Sequence, residues 1–426
     1  MARTLAEALK PASIDFRILH KRYKPLLALV KEMIGIIPNC DPILEIWPPG
    51  FRTYNLLVPN MFNLPHTIFG GKRFKAAMGL AMYASSKAAC AYCTAHTCSF
   101  ALRRGASDHS ISGSRSAEEQ AVVTFAERLA SIPAQLTQTD VDAVRKYFSA
   151  AETEWLVFSI SMMGFLNKFM SAMGVELEQD AINDTATLLS RTGWSPGIHV
   201  NGNYNVTREI APKQDNFLTY LRVIRHAPGA VLWEKKWTGD VPADYPKVAE
   251  YLKLHTGYSF PILQPIGQGR VTRTIASVLR DNLSKEQSLA GIKTKMLISA
   301  AFTSHTWNNR LNSEVKMMIN CISPEVNEEL QLKMAEFSVL EIPTDSTVFK
   351  QIMSSMQKEL SLTETEVATL LLAMAASHNP AQLNDAIIET VCKLLEPAVI
   401  VEIVVWLSVL QMLNRLSSYY TVVKAN

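Results

Sequence analysis

Apolar positions recur with a helical period over most of this chain. Leu19, Leu26, Leu27, Val30, Met33 and Ile34 share one helical face, so residues 3–36 read as two helices. From Asn39 to Gly71 the period is lost. Five prolines (Pro42, Pro48, Pro49, Pro59, Pro65), Trp47 and several phenylalanines predict an extended apolar connector over a helix surface, either a packed loop or a pocket wall. Gly71 to Ser85 reads as a buried helix. A second helix follows, N-capped near Ser85 or Ser86 and ending near Gly105. After a Ser/Gly-rich loop at 106–117, the pattern predicts helices at about 117–131, 139–149 and 152–173. Residues 176–262 carry scattered Gly and Pro, Pro212 and Pro228-Gly229 among them, with helical spacing only at about 215–225 and 245–254. From about 263 the pattern is helical to the end. The expectation is an all-α chain divided into 1–200, a connector at 201–262, and 263–426. The most apolar run, Ala398 to Leu413, is broken by Glu402 and falls short of the roughly 20 residues a span needs, so no membrane span is expected.

The two halves echo each other. Pro133-Ala134-Gln135-Leu136 recurs as Pro380-Ala381-Gln382-Leu383, an offset of 380 − 133 = 247. At that offset Glu119 meets Glu366, Ala121 meets Ala368, Ala126 meets Ala373, and Asn167-Lys168 meets Asn414-Arg415. Further upstream the offset is about 220, pairing Gly71 with Gly291 and Lys75 with Lys295, so the second copy carries extra residues around 317–350. A duplicated unit within one chain can take the place of a homodimer.

Composition narrows the function. Of 426 residues 48% are apolar, which excludes a disordered chain, and a net charge of +3 argues against a general nucleic-acid binder. Six cysteines (Cys40, Cys90, Cys93, Cys98, Cys321, Cys392) are too scattered for a secreted disulfide framework. No secretory signal is read in residues 1–36. A reducing compartment is expected: the cytoplasm or, since cations outnumber acids near the start, the mitochondrial matrix. No nucleotide or metal motif is present, so no cofactor is expected.

The chemistry concentrates in Cys90-Ala91-Tyr92-Cys93-Thr94-Ala95-His96-Thr97, within a run of small residues from Ala76 to Ala101. Two thiols three apart at a helix start benefit from its free N–H groups and partial positive charge, which favour the thiolate. From Ile46 to Ser107 there is no Asp or Glu, against seven cations (Arg52, Lys72, Arg73, Lys75, Lys87, Arg103, Arg104), so a positive potential is expected there. His96, three residues after Cys93, is a helical neighbour able to move a proton, and Tyr92 can shape a substrate pocket. Attack on a peroxide would leave a sulfenic acid that the second thiol closes to a disulfide. The alternatives are plain packing of buried cysteines, or a zinc site completed by His66 or His109, although no second cysteine pair exists. Cys98 lies two turns from Cys90, too far for a disulfide along one helix, and reads as core. Cys40, Cys321 and Cys392 read as structural.

This motif, its Ala-rich preceding helix and the following Ala101-Leu102-Arg103-Arg104-Gly105 resemble the alkyl hydroperoxidase D / carboxymuconolactone decarboxylase superfamily. So do Phe165-Leu166-Asn167-Lys168 before Gly174-Val175-Glu176, and Trp194-Ser195-Pro196-Gly197. The resemblance spans about 71–200 and, in degenerate form, about 290–420. It implies two all-helical units arranged as a pseudo-dimer, with Cys93 as peroxidatic thiol, Cys90 as its partner and His96 in the proton relay. It also implies a hydroperoxide substrate and a dithiol reductant, lipoyl-bearing or thioredoxin-like, and leaves room for a homo-oligomer. Two positions depart from the family pattern. Met78 stands where members often carry an activating Glu, and Thr97 stands at the commonest histidine position. Either another segment rebuilds the relay, Glu154 being one candidate, or activity is weak. The organisation also resembles sestrins, which implies the alternative of a redox-sensing or non-catalytic interaction protein.

Overall fold

The structure is a computed structural model, and it describes residues 3–64, 66–202, 204–207, 214–338, 343 and 345–424. Pro65 and Pro212 lie outside the described residues. Every regular element among the described residues is helical. The first stretch holds α1 (Leu5–Leu9), α2 (Phe16–Arg22), α3 (Lys24–Ile34), α4 (Asp41–Leu44), α5 (Pro48–Met61) and α6 (His66–Phe69). Next come α7 (Lys72–Ser86), α8 (Ala91–Arg103), α9 (Asp108–Ser112), α10 (Ala117–Ala130), α11 (Gln138–Arg145), α12 (Ala150–Met173) and α13 (Gln179–Ser190). The chain continues through α14 (Phe217–Thr238), α15 (Tyr245–Thr256), α16 (Gly269–Asn282), α17 (Ile292–Thr306) and α18 (Asn309–Ile322). It ends with α19 (Glu328–Ser338), α20 (Ser346–Leu360), α21 (Glu364–Ser377), α22 (Asp385–Leu394) and α23 (Pro397–Lys424).

Local signals fix several of these boundaries. Ser116, Thr137, Ser149 and Thr363 each open a helix with a reciprocal capping box, satisfying backbone N–H groups that would otherwise lack partners. Two stretches differ from the sequence expectation. Residues 48–61, expected to be extended, form α5, because Pro48 and Pro49 occupy its first turn, where a missing N–H costs nothing. Its residues Tyr54, Asn55, Val58 and Pro59 line a cavity. Within the expected connector, α14 runs on past Leu221 through Pro228-Gly229 to Thr238. Gly229 is what α3 requires there: a Cβ at that position would lie 2.4 Å from the Pro25 side chain.

Helix boundaries recur along the chain. At an offset of 247, α10, α11 and α12 start where α21, α22 and α23 start, and α10 and α21 also end in register. Gln135 N–H donates to Arg128 O and Gln382 N–H to Ala375 O, both at 2.9 Å, one offset apart. At 292 − 72 = 220, α7 matches α17. Between these helices and their successors the register slips. Cys90 caps α8, its sulfur accepting from Cys93 N–H; Asn308 caps α18, its side chain accepting from Leu311 N–H. The offset at the caps is therefore 308 − 90 = 218. Cys90, Cys93 and His96 correspond to Asn308, Leu311 and Glu314, not to Arg310, Ser313 and Lys316, which an offset of 220 carried through this turn would give. The physical reason is a shorter turn: residues 307–308 join α17 to α18, where 87–90 join α7 to α8.

The core centres on α12 packed against α23. Both helices are long and apolar enough to cross a membrane, α23 because its apolar pattern extends well beyond 398–413, contrary to the expectation from that run alone. Most of each is buried inside the protein. Two buried cations cross between the halves. Lys168 Nζ donates to the carbonyls of Ala376, Ser377 and His378 at 2.8, 3.0 and 2.5 Å, and burial lowers it to about 7. At the corresponding position Arg415 donates to Ile160 O (2.9 Å) and Ser85 O (3.3 Å), and burial lowers it to about 9. Lys168, and Arg415 through Ser85, bind carbonyls at the C-terminal ends of helices, where partial negative charge gathers; Ile160 O lies midway along α12.

α7 and α8 approach most closely at Gly79. A Cβ there would stand 2.7 Å from Ala101 Cα, a backbone atom that cannot swing aside. Gly79→Ala is expected to destabilise the fold by about 1–3 kcal/mol through overpacking, read as a lower urea midpoint at unchanged slope.

Candidate functional site

The site forms where α8 begins. Cys90 lies in extended conformation as its N-cap, and its sulfur accepts from Cys93 N–H at 3.4 Å. Trp194 Nε1 donates to Ala91 O at 3.0 Å and so ties the Trp-Ser-Pro-Gly segment to the first turn of α8. That segment leads into a short 3-10 turn, Gly197–His199, which delivers His199 to the thiols. His199 Nε2 is 3.8 Å from Cys90 Sγ. Its Nδ1 lies 2.7 Å from Val175 O and must donate, because a carbonyl can only accept, so Nε2 is the nitrogen left to face sulfur.

The two thiols are driven apart electrostatically. Burial pushes the Cys90 thiol up, but the hydrogen bond from the Cys93 side chain and the adjacent His199 ring outweigh it and hold Cys90 well below the ordinary thiol range. Burial pushes Cys93 up, and its hydrogen bond to Cys90 and the negative charge there push it further. His199 responds in kind: burial lowers it, the Cys90 charge outweighs that, and the ring is raised above its usual 6.5. These directions favour a thiolate on Cys90 beside a protonated His199, with the proton of the pair on Cys93.

A second cluster flanks Cys93. His96 Nε2 is 2.8 Å from Glu178 Oε2, and Tyr92 OH donates to Glu178 Oε1 at 2.7 Å. Asn39 N–H donates to the same Oε1 at 2.6 Å. Burial raises the Glu178 carboxyl, but the His96 ring and these donors outweigh it and keep it low and ionised. The Tyr92 and His96 rings stack at 4.4 Å. Glu178 therefore supplies a carboxylate to the site, where Met78 supplies none. Glu154, the candidate named from sequence, does not: it accepts from Gly267 N–H (2.9 Å) and Tyr420 OH (2.6 Å).

The local cations do not set the thiol chemistry as expected. Arg73 pairs with Glu118, Arg104 with Asp215, and Arg52 lies near Asp281, while Lys75 donates to Ile68 O. The cation that favours the Cys93 thiolate is Arg415, from the far end of the chain. Among the remaining cysteines, Cys98 is buried and pushed up by that burial, as is Cys40, whereas Cys321 and Cys392 are exposed. Among the described residues no three His, Cys, Asp or Glu side chains gather closely enough to hold a metal ion.

The pair lies between two openings of opposite character. Cys93, Tyr92 and His96 face a cavity of about 410 Å³ whose other walls are largely apolar, among them Leu29, Met33, Phe100, Met163 and Val223. Glu234 and Arg270 are the other ionisable groups among its described lining residues, besides Cys93, His96, Tyr54 and Tyr92. On the other side, His199 faces a cleft of about 360 Å³ lined by polar groups including Glu7, Lys10, Asn39, Glu176 and Asn201. Sequence reasoning found Cys90, Cys93, Tyr92 and His96, and the structure gathers all four. It missed His199, Glu178 and Asn39. The one available signal was position: His199 stands two residues beyond the Trp-Ser-Pro-Gly motif.

No protein-family model, no curated protein and no solved structure matches this chain.

The His199–Cys90 pair predicts a pH profile. An ordinary thiol of pKa about 8.5 loses alkylation rate roughly tenfold per pH unit below that value. With Cys90 lowered, its thiolate persists to lower pH, so alkylation of the pair by iodoacetamide should fall less steeply between pH 8 and pH 6 than that of an ordinary thiol. His199→Asn removes one of the two influences that lower it, the other being the Cys93 hydrogen bond, so the fall with decreasing pH should steepen. Rate constants from quantitative mass spectrometry across pH 5–9 check this.

Proposed function

We propose that the chain is a thiol-dependent peroxidase or disulfide reductase working through Cys90 and Cys93. The observation that carries this reading is the placement of Cys93 on an apolar cavity while Cys90, behind it, is paired with His199. Cys93 passes its proton to Cys90 and its sulfur attacks the terminal oxygen of a hydroperoxide. The S–O bond forms, the O–O bond breaks, and the departing alkoxide takes a proton from the His96–Glu178 pair, leaving an alcohol. Cys90 gives up its proton to replenish that pair, and its thiolate attacks the Cys93 sulfenic acid; the S–S bond forms, the S–O bond breaks, and the departing hydroxide takes the proton held by His199 and leaves as water. A dithiol reductant, lipoyl-bearing or thioredoxin-like, then takes up the disulfide's oxidising equivalents by exchange.

The recurring helices support reading the chain as two copies of one helical unit that pack as a pseudo-dimer. The first copy carries the chemistry. In the second, Leu311 replaces Cys93 and Glu314 replaces His96, which leaves a structural partner. The likeness to the alkyl hydroperoxidase D superfamily belongs to the same proposal.

A second reading, a redox-sensing interaction protein, is favoured by the low access to sulfur: Cys90 and Cys93 are each 3% exposed. Intact mass and peptide mapping after one equivalent of organic hydroperoxide test the shared step. The expected result is loss of two hydrogens and a Cys90–Cys93 cross-link. Full retention of both thiols would reject both readings.

A further inference from the structure

We propose that the outward face of α14 docks on an anionic lipid bilayer. Phe217, Leu218, Leu221, Ile224, Val231 and Leu232 are all exposed, Phe217 at 71% and Leu232 at 68%. Their spacing, at 217, 221, 224 and 231 with 218 and 232 alongside, places them on one stripe of a 22-residue helix. Scattered apolar side chains are ordinary on a surface, but a stripe of six on one helix is not.

The charge on this stripe selects the occupant. Arg222, Arg225, Lys235 and Lys236 are interleaved with or adjoin the apolar residues, and no acidic side chain is exposed among them. Arg222 is held by Glu32, and Lys236 lies over the Trp233 ring at 4.8 Å. Arg225 and Lys235 have no ion-pair partner among the described residues. Glu234, the helix's acid, faces the cavity. An apolar stripe flanked by one sign of charge matches the boundary of a bilayer: acyl chains for the stripe, anionic headgroups for the cations. A second copy of this chain would bring the same cations face to face.

The face also adjoins the thiol cavity. Ile224 and Val231 line that cavity and are themselves exposed, so a single helix separates the cysteine site from the docking surface. Joined to the peroxidase chemistry, this makes an acyl-chain hydroperoxide the substrate class. That extension rests on the proposed function; the docking does not.

The test is flotation of the full chain with vesicles, without peroxide, for the intact protein, Cys93→Ser, Leu221→Asp/Leu232→Asp and Arg225→Glu/Lys235→Glu. Vesicles of phosphatidylcholine with 30% phosphatidylglycerol are compared with phosphatidylcholine alone. The intact protein and Cys93→Ser should float equally with the anionic vesicles and at least about tenfold less with the neutral ones. Both double variants should lose at least about tenfold in bound fraction while keeping their helical circular dichroism. Absence of flotation, or variants that bind like the intact protein, would overturn the proposal. Concentration-dependent self-association that the same variants abolish, with no vesicle binding, would assign the face to a second copy instead and would also overturn it. Neither outcome depends on whether Cys93 turns over.

Discussion

Cys93→Ser should lower hydroperoxide turnover at least about a thousandfold, because a serine hydroxyl lacks the low pKa and polarisability that make a thiolate reactive. The variant should fold normally, since sulfur and oxygen differ little in size and Cys93 packs at the cavity edge. Cys90→Ser should separate the two steps. It removes the thiol that resolves the sulfenic acid and, by removing the base for the Cys93 proton, slows the first step without abolishing it, so turnover is lost and oxidised Cys93 persists. A sulfenic-acid trap such as dimedone should label the Cys90→Ser protein after peroxide and leave Cys93→Ser unlabelled. Equal labelling of both variants would reverse the assignment of roles.

Glu402→Ala should destabilise the fold by about 3–5 kcal/mol. Glu402 and Lys295 are both fully buried, 2.7 Å apart. The carboxylate is saturated: Ser288 OH donates at 2.6 Å, and the N–H groups of Leu289 and Ala290 at 2.8 and 2.9 Å. Lys295 also donates to Asn282 O and lies over the Trp47 ring at 5.1 Å. The pair thus fastens the loop before α17 to α23, and the cation to α5. Removing the acid leaves a buried ammonium short of its charge partner and two backbone donors without acceptors. Lys295→Met alone should cost a similar amount by stranding the carboxylate. Lys295→Met/Glu402→Leu should recover part of the loss but not all, because Leu289 and Ala290 N–H remain unsatisfied. Urea unfolding of the three variants checks the order; full additivity of the single losses would show that the two groups do not act as a pair.

Much of the helical scaffold was legible in the chain. The helices from 72 to 173 carry strong period and explicit caps, such as Ser116 with Glu119 and Ser149 with Glu152, and their expected bounds differ by a few residues from those observed. The internal echo was legible because Pro-Ala-Gln-Leu survives in both halves. The proline-bearing helices were not. α5 was hidden because three prolines suggest a loop unless their positions at the first turn and near the end are weighed. α14 was hidden because Pro228-Gly229 reads as a break, although α3 needs Gly229 for close approach.

The site was legible where the chemistry is local and hidden where it is not. Cys90, Cys93, Tyr92 and His96 lie within seven residues of sequence and so announce themselves. His199 and Glu178 come from segments about a hundred residues away, placed by the turn after Trp194 and by the start of α13. The cation-rich stretch misled for a related reason: charge counted along a chain says nothing about pairing in space, and Arg73 and Arg104 are neutralised by Glu118 and Asp215. The acid missing at Met78 is supplied across space by Glu178 rather than by Glu154, which serves instead to hold Tyr420 and the loop at Gly267.

The measurement that bears most directly on this account is steady-state consumption of an organic hydroperoxide with dihydrolipoamide as reductant, for the intact chain beside Cys93→Ser and Cys90→Ser. The account predicts turnover above the thiol background in the intact chain and none in either variant. Consumption at the background rate in all three, with Cys90 and Cys93 still reduced at the end, would contradict it.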